Sequence, residues 1–415
     1  MPYSHHTAEP LIRPFKAYRP ATGLAEQIVA VPYDVITRKK ARKVKKANPL
    51  SFLSISRADA DFPDQVSQYD QSIYDNAALS FNNFIRNRYL ISDSKDSFYV
   101  YRISNSTHAQ TGIAFSASVQ AYTQNRIKKH ELTRPEKELD RVKQINATKA
   151  ITSPVLLVHP NDRPLETMLE NLTLEAPVTQ ARIEDWHHEI WQIADRKNIE
   201  AITARFSKMR SLYIADGHHR SAAAQRVAHH SSTWNRPSHS DSGFLAVSFP
   251  QNQLVILDYN RVIRSKRDFQ EKHLHEHLKS HFELSELDSP FSPTEKNTFG
   301  MYHKGKWFCL RLRHFETRSV IESLDVSLLQ NLVLEPFFGI SDPRTDDRID
   351  FVGGPKSVLE ISRKVDEGEA DVGFTLAPTT IEDLISVADE NLVMPPKSTW
   401  FEPKLADGLL CMPLE

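Results

Sequence analysis

The sequence predicts a mixed α/β protein, and three observations support this. Short apolar runs with strand-like alternation recur along the 415 residues, and segments with helical spacing of apolar residues lie between them. A composition of 40% hydrophobic and 25% charged residues is typical of a globular chain that buries a sizeable core. The chain also shows no internal repeat and no low-complexity block. An α/β or α+β fold is therefore expected.

The first part of the chain is predicted to alternate short strands with helices. Thr37 is the expected N-cap of a short basic helix, and Asn48-Pro49 is its expected end. Residues 66–89 carry Tyr, Ile, Leu and Phe at helical spacing, which predicts a second helix. Strands are predicted within IVAVPYDVI and SFLSISRAD, and as a pair at FYVYRI and GIAFSASVQAY.

The remainder of the chain is predicted to continue this alternation. A helix follows IKKHELT, with Thr133 as its expected N-cap, Pro135 in its first turn and Glu136 at capping-box spacing. The pattern predicts strands at SPVLLVH and, as a pair, at FLAVSFP and LVILDYNRVI, and helices at PLETMLENL and HHEIWQIADRKNIEAITARF. Beyond about residue 265, helices and strands are expected at DVSLLQNLVLEPF, ADVGFTLAP and IEDLISVADE.

Charge and cysteine content exclude several classes of protein. The formal net charge of -1 gives no global basic field, so non-specific nucleic-acid binding is not expected. The two cysteines, Cys309 and Cys411, lie far apart in the sequence and in apolar surroundings, which argues against a disulfide scaffold or a zinc ribbon. No apolar run reaches the length of a membrane span. We expect a cytoplasmic protein with neither a nucleic-acid nor a membrane partner.

The segment ADGHHRS is the strongest candidate for a functional site. An apolar strand (SLYI) precedes it and an alanine-rich helix follows it, so Gly217 allows a tight turn at a helix N-terminus. Free N–H groups and the helix dipole attract anions there. Arg220 can bind phosphate oxygens through its planar guanidinium, and His218 and His219 can donate to them. Asp216 could bind a metal or orient a histidine. The alternative is a capped turn with surface histidines.

Two further segments carry groups suited to chemistry. In KKHELT, Glu131 stands beside His130 and two lysines and could act as a general base, although a charged loop before a helix is the alternative. In PPKSTWFEPK, a proline-fixed loop carries Lys397, Ser398 and Thr399, which suit a phosphate or a carboxylate. The alternative there is an ordered tail that packs its Trp and Phe on the core. DWHHEIW contains Asp, His and Glu, which are residue types that bind metals, but their spacing matches no recognised metal site.

Taken together, KKHE, ADGHHR and PPKST resemble the free serine kinase family, in which a KPHE-like loop, a VDGHHR turn and a SPKTT loop follow in the same order. These kinases belong to the ParB/sulfiredoxin-like superfamily. The longer pattern of PYDVI, SFLSISR, KKHELT, ADGHHR and KSTWFEPKLADGL resembles a large bacterial family labelled as a domain of unknown function. The second resemblance covers nearly the whole chain, and the first covers only the motifs.

The resemblance implies a ParB/sulfiredoxin-like core that transfers a phosphoryl group from ATP or ADP, with Mg²⁺, to the hydroxyl of free L-serine. It divides the chain into an N-terminal elaboration (1–95), a nucleotide-binding core (96–265) and a C-terminal region with the PKST loop (266–415). The catalytic residues it implies are Glu131, as the base, with Asp216 and His219. His130, Gly217, His218 and Arg220 would bind the nucleotide, Asp216 the metal, and Lys397, Ser398 and Thr399 the substrate.

One departure from the kinase motifs leaves the acceptor open. Trp400 and Phe401 follow the PKST loop where the kinases have Arg and His, and Lys404 or Arg220 could take over recognition of a carboxylate. The chain contains no Walker A motif, so the DGHHR turn would have to hold the phosphates. Sulfiredoxin chemistry is excluded because His218 and His219 stand where it needs a cysteine. A ParB-like nucleotide-binding regulator or sensor without kinase turnover is the alternative function.

Overall fold

The protein is described from a computed structural model, which describes residues 9–230, 242–265, 271–314, 316 and 319–414. The chain forms two compact units. The first unit consists of Met1–Lys129, Thr133–Leu254 and Pro403–Glu415, and the second consists of His130–Leu132 and Val255–Glu402. The short segment His130–Leu132 and the final segment Pro403–Glu415 therefore each belong to a unit that is built mostly from distant sequence. The three-part division predicted from the sequence stays a prediction.

Helices and strands alternate along the described chain, which confirms the mixed α/β class. The strands are β1 (Ile12–Arg13), β2 (Tyr18–Pro20), β3 (Leu90–Ser92), β4 (Phe98–Ser104), β5 (Ala109–Ser118), β6 (Ile127–Lys128), β7 (Ala150–Ile151), β8 (Val155–His159), β9 (Thr179–Ile183), β10 (Trp186–Ile193), β11 (Leu212–Asp216), β12 (Gly243–Pro250), β13 (Val255–Leu257), β14 (Tyr259–Ile263), β15 (Phe282–Leu287), β16 (Thr298–His303), β17 (Lys306–Leu312), β18 (Ile349–Gly353), β19 (Val372–Leu376), β20 (Trp400–Glu402) and β21 (Met412–Pro413). The helices are α1 (Ala25–Ile28), α2 (Arg38–Ala47), α3 (Leu53–Ser56), α4 (Gln71–Arg86), α5 (Val119–Thr123), α6 (Pro135–Thr148), α7 (Arg163–Leu172), α8 (Arg196–Phe206), α9 (His218–His230), α10 (Glu271–His281), α11 (Asp325–Leu329), α12 (Ser357–Asp366) and α13 (Ile381–Asp389).

The first unit is built on a mixed sheet. Among the described residues this sheet has nine strands, in the order β6-β11-β8-β12-β5-β4-β10-β9, with β1 pairing to β5. The pairs β6–β11 and β8–β12 are parallel, and the other pairs are antiparallel. Its central strands are apolar and buried: Phe98, Phe115, Phe244 and Phe249 are almost completely inaccessible to solvent. Because β11 lies next to the edge strand β6, the turn after β11 leaves the sheet near its edge.

The second unit is built on an antiparallel sheet. Within the described part of the chain it has six strands, in the order β15-β17-β16-β19-β14-β18, and a separate antiparallel pair joins β13 to β20. The pairing of β13 with β20 brings residues 255–257 beside residues 400–402, which fixes the chain that follows the PKST loop. None of the described helices is both long and apolar enough to cross a bilayer.

Most of the helices and strands that have a clear sequence pattern are confirmed. Helix α2 begins after Thr37, whose side chain accepts a hydrogen bond from the Lys40 N–H at 3.3 Å. The pairing of β4 with β5, strand β8 and helices α4 and α7 are also as predicted. The strand, tight turn and helix predicted around ADGHHR are present as β11 and α9.

Four local predictions are wrong, two because short apolar runs do not distinguish strand from helix. SFLSISRAD forms α3 and a turn of 3₁₀ helix, and HHEIWQI forms strand β10, with β4 and β9 on either side. IVAVPYDVI is not a strand: Ile28 ends helix α1, and Ala30 forms an isolated bridge with Asp407. FLAVSFP and LVILDYNRVI do not pair with each other, since β12 joins β5 and β8 whereas β14 joins β18 and β19.

The predicted cap of α6 is also wrong. The helix begins at Pro135, and Arg134 occupies the N-cap position. The hydroxyl of Thr133 donates instead to the Glu138 carboxylate at 3.0 Å, so it reaches into the first turn rather than capping it. Glu136 therefore forms no capping box with Thr133, because Thr133 lies one residue before the cap.

Candidate functional site

The turn between β11 and α9 is held in a backbone conformation that requires glycine. Gly217 has φ +104°, and the helix begins at the next residue, His218. A Cβ at Gly217 would lie 3.1 Å from the Arg220 Nε and 3.3 Å from the Val155 Cα. The turn thus combines a left-handed backbone with close packing, as expected from the glycine in ADGHHR.

Gly217→Ala is expected to lower the free energy of unfolding by about 1–3 kcal/mol, because a side chain at this φ is strained and also meets Arg220. Gly23 is a matched control: it has φ +83°, but a Cβ added there would have nothing within 4 Å. Urea unfolding of both variants should give the larger loss for Gly217→Ala. Equal losses would show that backbone strain alone, and not packing at the turn, decides the result.

Arg220 is the buried centre of a charge network in this unit. Its side chain is 6% exposed, and its Nη1 donates to the Pro154 carbonyl. Its Nη2 donates to Asp216 Oδ2 at 3.1 Å and lies 3.7 Å from Asp34 Oδ2. Burial alone would lower the pKa of Arg220, but the two carboxylates raise it above its ordinary value. Arg220 therefore stays charged and holds both carboxylates in place.

Asp407 joins the same network from the end of the chain. Its Oδ2 accepts a hydrogen bond from the Tyr33 N–H at 3.1 Å, and its backbone pairs with Ala30 in both directions. Burial raises the pKa of Asp407 to about 7, while Ser153 and Arg220 act in the opposite direction. The carboxyl thus changes charge near neutral pH in the folded protein.

Asp407 is expected to make stability fall as the pH rises from about 4 to about 7. The unfolded chain ionises this carboxyl near its ordinary pKa, so the folded state binds the extra proton across that range. Asparagine at position 407 does not titrate, so Asp407→Asn lacks this pH dependence. Between pH 4 and pH 8, the free energy of unfolding of the variant should therefore rise relative to that of the wild type by up to about 4 kcal/mol. A pH-independent difference in urea unfolding would contradict this.

The segment before α2 is fixed beside this network. The Arg141 guanidinium lies 4.0 Å from the centroid of the Tyr33 ring and pairs with Asp140 at 2.7 Å. Asp140 also accepts a hydrogen bond from the Tyr74 hydroxyl at 2.7 Å. These contacts place Asp34, the residue after Tyr33, near Arg220.

The two histidines of the turn differ in their surroundings. His218 is buried, and its carbonyl accepts a hydrogen bond from the Ser221 hydroxyl at 3.0 Å. His219 is partly exposed, and its Nε2 accepts the Arg134 N–H at 3.0 Å. An accepting Nε2 carries no proton, so a neutral His219 holds its proton on Nδ1.

In the second unit, the residues of the PKST loop are held by buried polar groups. Arg261 is 3% exposed and donates through Nη2 to the carbonyls of Pro396 and Lys397 at 3.3 and 3.1 Å. The Ser398 hydroxyl donates to the Pro395 carbonyl at 2.6 Å. Burial lowers the pKa of Arg261 to about 10, and the electrostatic interaction with Tyr259 acts in the opposite direction. The loop is therefore an ordered turn with its carbonyls engaged.

Lys397 lies at the tip of this turn. It has φ +57°, which is unusual for a residue with a side chain, and its Nζ is 5.6 Å from the centroid of the Tyr259 ring. Burial raises the pKa of Tyr259, and the Lys397 charge opposes that rise. Thr399 Oγ1 is 3.5 Å from His130 Nε2, so His130 and the loop lie together.

The packing expected from the alternative interpretation of this segment is also present. Phe401 is 1% exposed within β20, and the Trp400 ring fills the space beside Gly353, where a Cβ would lie 2.3 Å from it. Trp400 and Phe401 are therefore used for packing.

Each unit therefore gathers its own group of predicted residues. The first unit brings together Asp216, Gly217, His218, His219 and Arg220. The second unit contains His130, Glu131, Lys397, Ser398 and Thr399.

Sequence reasoning did not identify the residues that complete each group. In the first unit these are Asp34, Asp407 and Arg141, and in the second unit they are Tyr259 and Arg261. Asp34 lies in PYDVI and Asp407 lies in KLADGL. Both segments belong to the family pattern, and this membership was the sequence signal that could have identified the two residues.

DWHHEIW and Cys411 have structural surroundings. His188 lies in β10 with its Nδ1 2.9 Å from the Tyr101 hydroxyl, and burial lowers the pKa of His188 to about 3. Cys411 is fully buried, and burial raises its pKa well above the ordinary value. A neutral, enclosed histidine and a protonated thiol fit packing roles in the core.

Comparison with known proteins gives one family and several partial structural likenesses. The family model described as "Protein of unknown function (DUF1015)" matches residues 12–327. No curated protein matches the chain in sequence. A free serine kinase in complex with AMP is 14% identical, with a TM-score of 0.34, over 70% of this chain and 86% of its own.

Two other solved structures show similar values. A conserved hypothetical protein from Pyrococcus furiosus is 15% identical, with a TM-score of 0.34, over 71% of this chain and 93% of its own. SbnI with a C-terminal truncation, from Staphylococcus aureus, is 11% identical, with a TM-score of 0.38, over 72% of this chain and 87% of its own. These scores describe limited likeness. The description of the site therefore uses only the contacts within this chain.

Proposed function

The chain belongs to the DUF1015 family, described as proteins of unknown function, and we propose that it is a phosphotransferase. The proposed reaction moves the terminal phosphoryl group of ATP or ADP to the hydroxyl of a small molecule, with free L-serine as the first candidate acceptor. Support comes from the site geometry and from the resemblance of KKHE, ADGHHR and PPKST to free serine kinases.

The observation that carries the proposal is the turn between β11 and α9. A glycine at φ +104° leads into a helix of 13 residues, so free N–H groups and the positive end of the dipole face the turn. Arg220 and Lys404 add positive charge at Asp216, at 3.1 and 3.7 Å. Phosphoryl transfer depends mainly on positioning and neutralising phosphate oxygens, and this turn has the parts for both.

The carboxylates beside the turn suit a magnesium–nucleotide complex. Asp216 and Asp34 both present hard oxygen donors near Nη2 of Arg220, and Mg²⁺ prefers a few carboxylates together with phosphate oxygens. When bound, Mg²⁺ neutralises phosphate charge and orients the terminal phosphoryl group. The nearby positive charge of Arg220 and Lys404 disfavours metal without phosphates, so metal and nucleotide are expected to bind together.

The acceptor chemistry is assigned to residues of the second unit. We assign Glu131 as the general base that takes the hydroxyl proton while the hydroxyl oxygen bonds to the terminal phosphorus and the bond from that phosphorus to the bridging oxygen breaks, releasing ADP from ATP or AMP from ADP. Lys397, Ser398 and Thr399 are assigned to the acceptor, since their loop is ordered by Arg261 and carries one cation and two hydroxyls. Lys397 suits the carboxylate of an amino acid.

A donor–acceptor matrix tests this function. Purified protein with Mg²⁺ is incubated with ATP or ADP and with L-serine, D-serine, L-threonine or no acceptor, and products are separated by mass. Phosphorylation of one hydroxyl acceptor above the no-acceptor background supports the proposal. Nucleotide binding without transfer to any of them would instead support a regulator or sensor.

A further inference from the structure

The second unit contains a cavity whose lining residues have no role in the proposed phosphoryl transfer. Its volume is about 320 Å³, which falls within the roughly 300–1,000 Å³ of small-molecule sites. Its described lining has three basic residues (Lys296, Arg313, His314), two polar ones (Asn297, Ser323) and two leucines. None of these described lining residues is acidic, so the lining favours an anion.

The walls of the cavity are fixed by backbone hydrogen bonds. Asn297 precedes β16 with φ +63°, a left-handed backbone that asparagine tolerates. Its N–H donates to the Asp325 carboxylate at 2.9 Å, and its carbonyl accepts the Leu312 N–H at 2.9 Å. The next N–H along the chain, that of Arg313, donates to the His281 carbonyl at 3.0 Å. The cavity is therefore bounded by an ordered backbone, as in a preformed ligand site.

The Arg313 side chain is anchored at one end of its guanidinium. Its Nε donates to the Phe282 carbonyl at 3.3 Å. Within the described part of the chain, its two terminal nitrogens make no hydrogen bond and no ion pair. A guanidinium keeps its proton in proteins and presents its N–H groups as a fork that matches two oxygens of a phosphate or a carboxylate. Arg313 thus gives the cavity a permanent charge with donors aimed at an anion.

The carboxylates near the lining are held by donors of the chain itself. Lys296 Nζ pairs with Asp383 Oδ1 at 2.6 Å, and Asp383 also accepts the Thr380 N–H at 3.2 Å in the cap of α13. Burial raises the pKa of Asp325 to about 6, while the hydrogen bond from Asn297 and the charge of Lys296 act in the opposite direction. The positive charge that remains for a ligand is therefore that of the guanidinium.

We infer that this cavity binds a small phosphomonoester, with the phosphate on the Arg313 guanidinium. His314 and Lys296 add two further basic groups to the lining, which suits a phosphate with close to two negative charges better than a single carboxylate. The cavity exceeds the space of a phosphate alone, since a water molecule occupies only about 30 Å³, and its leucines offer apolar surface to the carbon part of the ligand. The inference goes beyond the proposed function and does not depend on it.

The test measures ligand binding to the full chain by calorimetry, at constant ionic strength and without nucleotide. The ligands are glycerol 3-phosphate, inorganic phosphate, succinate and glycerol. We expect glycerol 3-phosphate to bind more tightly than inorganic phosphate or the dicarboxylate succinate, because it offers both a phosphate and a carbon part. Glycerol, which has no charge, should not bind.

Variants of the lining locate the binding. Arg313→Gln should weaken the binding of glycerol 3-phosphate by roughly tenfold to a hundredfold, because charge-assisted hydrogen bonds are lost. Arg313→Lys keeps the charge without the fork and should give an intermediate affinity. Asn297→Asp, which retains a residue type that tolerates the left-handed backbone, adds a negative charge to the lining and should also weaken binding. The matched control is Arg311→Gln on β17, an exposed arginine outside the described lining, which should bind as the wild type does.

Each contrary result overturns a specific statement. Equal weakening in Arg313→Gln and Arg311→Gln would show attraction by net charge alone and would overturn the site. Unchanged affinity in Arg313→Gln, or no binding of glycerol 3-phosphate at millimolar concentration, would also overturn it. Tighter binding of succinate or inorganic phosphate than of glycerol 3-phosphate would overturn the ligand class. The serine phosphorylation assay decides none of these comparisons, so the two proposals fail separately.

Discussion

Glu131→Gln is expected to lower the turnover of phosphoryl transfer by at least about 100-fold while nucleotide affinity changes little. Glutamine keeps the size and the hydrogen-bonding geometry of the side chain but cannot accept the hydroxyl proton, and general-base catalysis contributes about 10²–10⁴ in rate. Single-turnover product formation and ADP affinity, measured on the same preparation, separate the chemical step from binding.

The control for this substitution is Glu390→Gln, an exposed glutamate in the same unit just after α13. It changes the same charge without touching the proposed loop, and it should keep wild-type turnover. Wild-type turnover in Glu131→Gln would remove the base assignment, whereas a matching loss of ADP affinity would indicate that Glu131 supports binding rather than proton transfer.

Arg220→Ala is expected to lower the free energy of unfolding by about 3–5 kcal/mol. The substitution leaves Asp216 without its 3.1 Å partner, leaves a buried carbonyl unpaired and removes the positive charge that faces Asp407. Chemical denaturation monitored by tryptophan fluorescence measures this loss, and two-state behaviour should be checked because the chain has two units.

Arg226→Ala on the same helix is the matched control. Arg226 is largely exposed, and its ion pair with Glu138 at 3.0 Å lies near the surface, so its loss should cost less than about 1 kcal/mol. Similar losses in the two variants would show that Arg220 is no more than an ordinary surface partner. A stable Arg220→Ala protein that loses only ADP affinity would instead favour a direct contact with phosphate.

The site turn could be predicted from sequence because its determinants are local. An apolar strand, a glycine and an alanine-rich helix follow one another within SLYIADGHHRSAAA, and the structure has β11, Gly217 at positive φ and α9 in that order. Helix α2 could be predicted equally well, because Thr37 is a local N-cap signal.

The partners of the turn could not be predicted, because they come from distant parts of the chain. Asp34 precedes Arg220 by more than 180 positions, and Asp407 follows it by a similar number. No local periodicity connects these residues, and burial that raises the pKa of Asp407 becomes evident only in three dimensions. The misassigned β10 shows the same limit, because HHEIWQI is fixed as a strand by pairing with β4 and β9.

The most direct test of phosphoryl transfer to serine follows the acceptor hydroxyl itself. L-serine labelled with ¹⁸O in its side chain is incubated with the wild-type protein, Mg²⁺ and ATP or ADP, and the product is weighed by mass spectrometry. We expect O-phosphoserine that retains the label, because the hydroxyl oxygen attacks phosphorus and stays in the ester. Absence of labelled phosphoserine with both donors, at protein concentrations where nucleotide is bound, would contradict transfer to free serine.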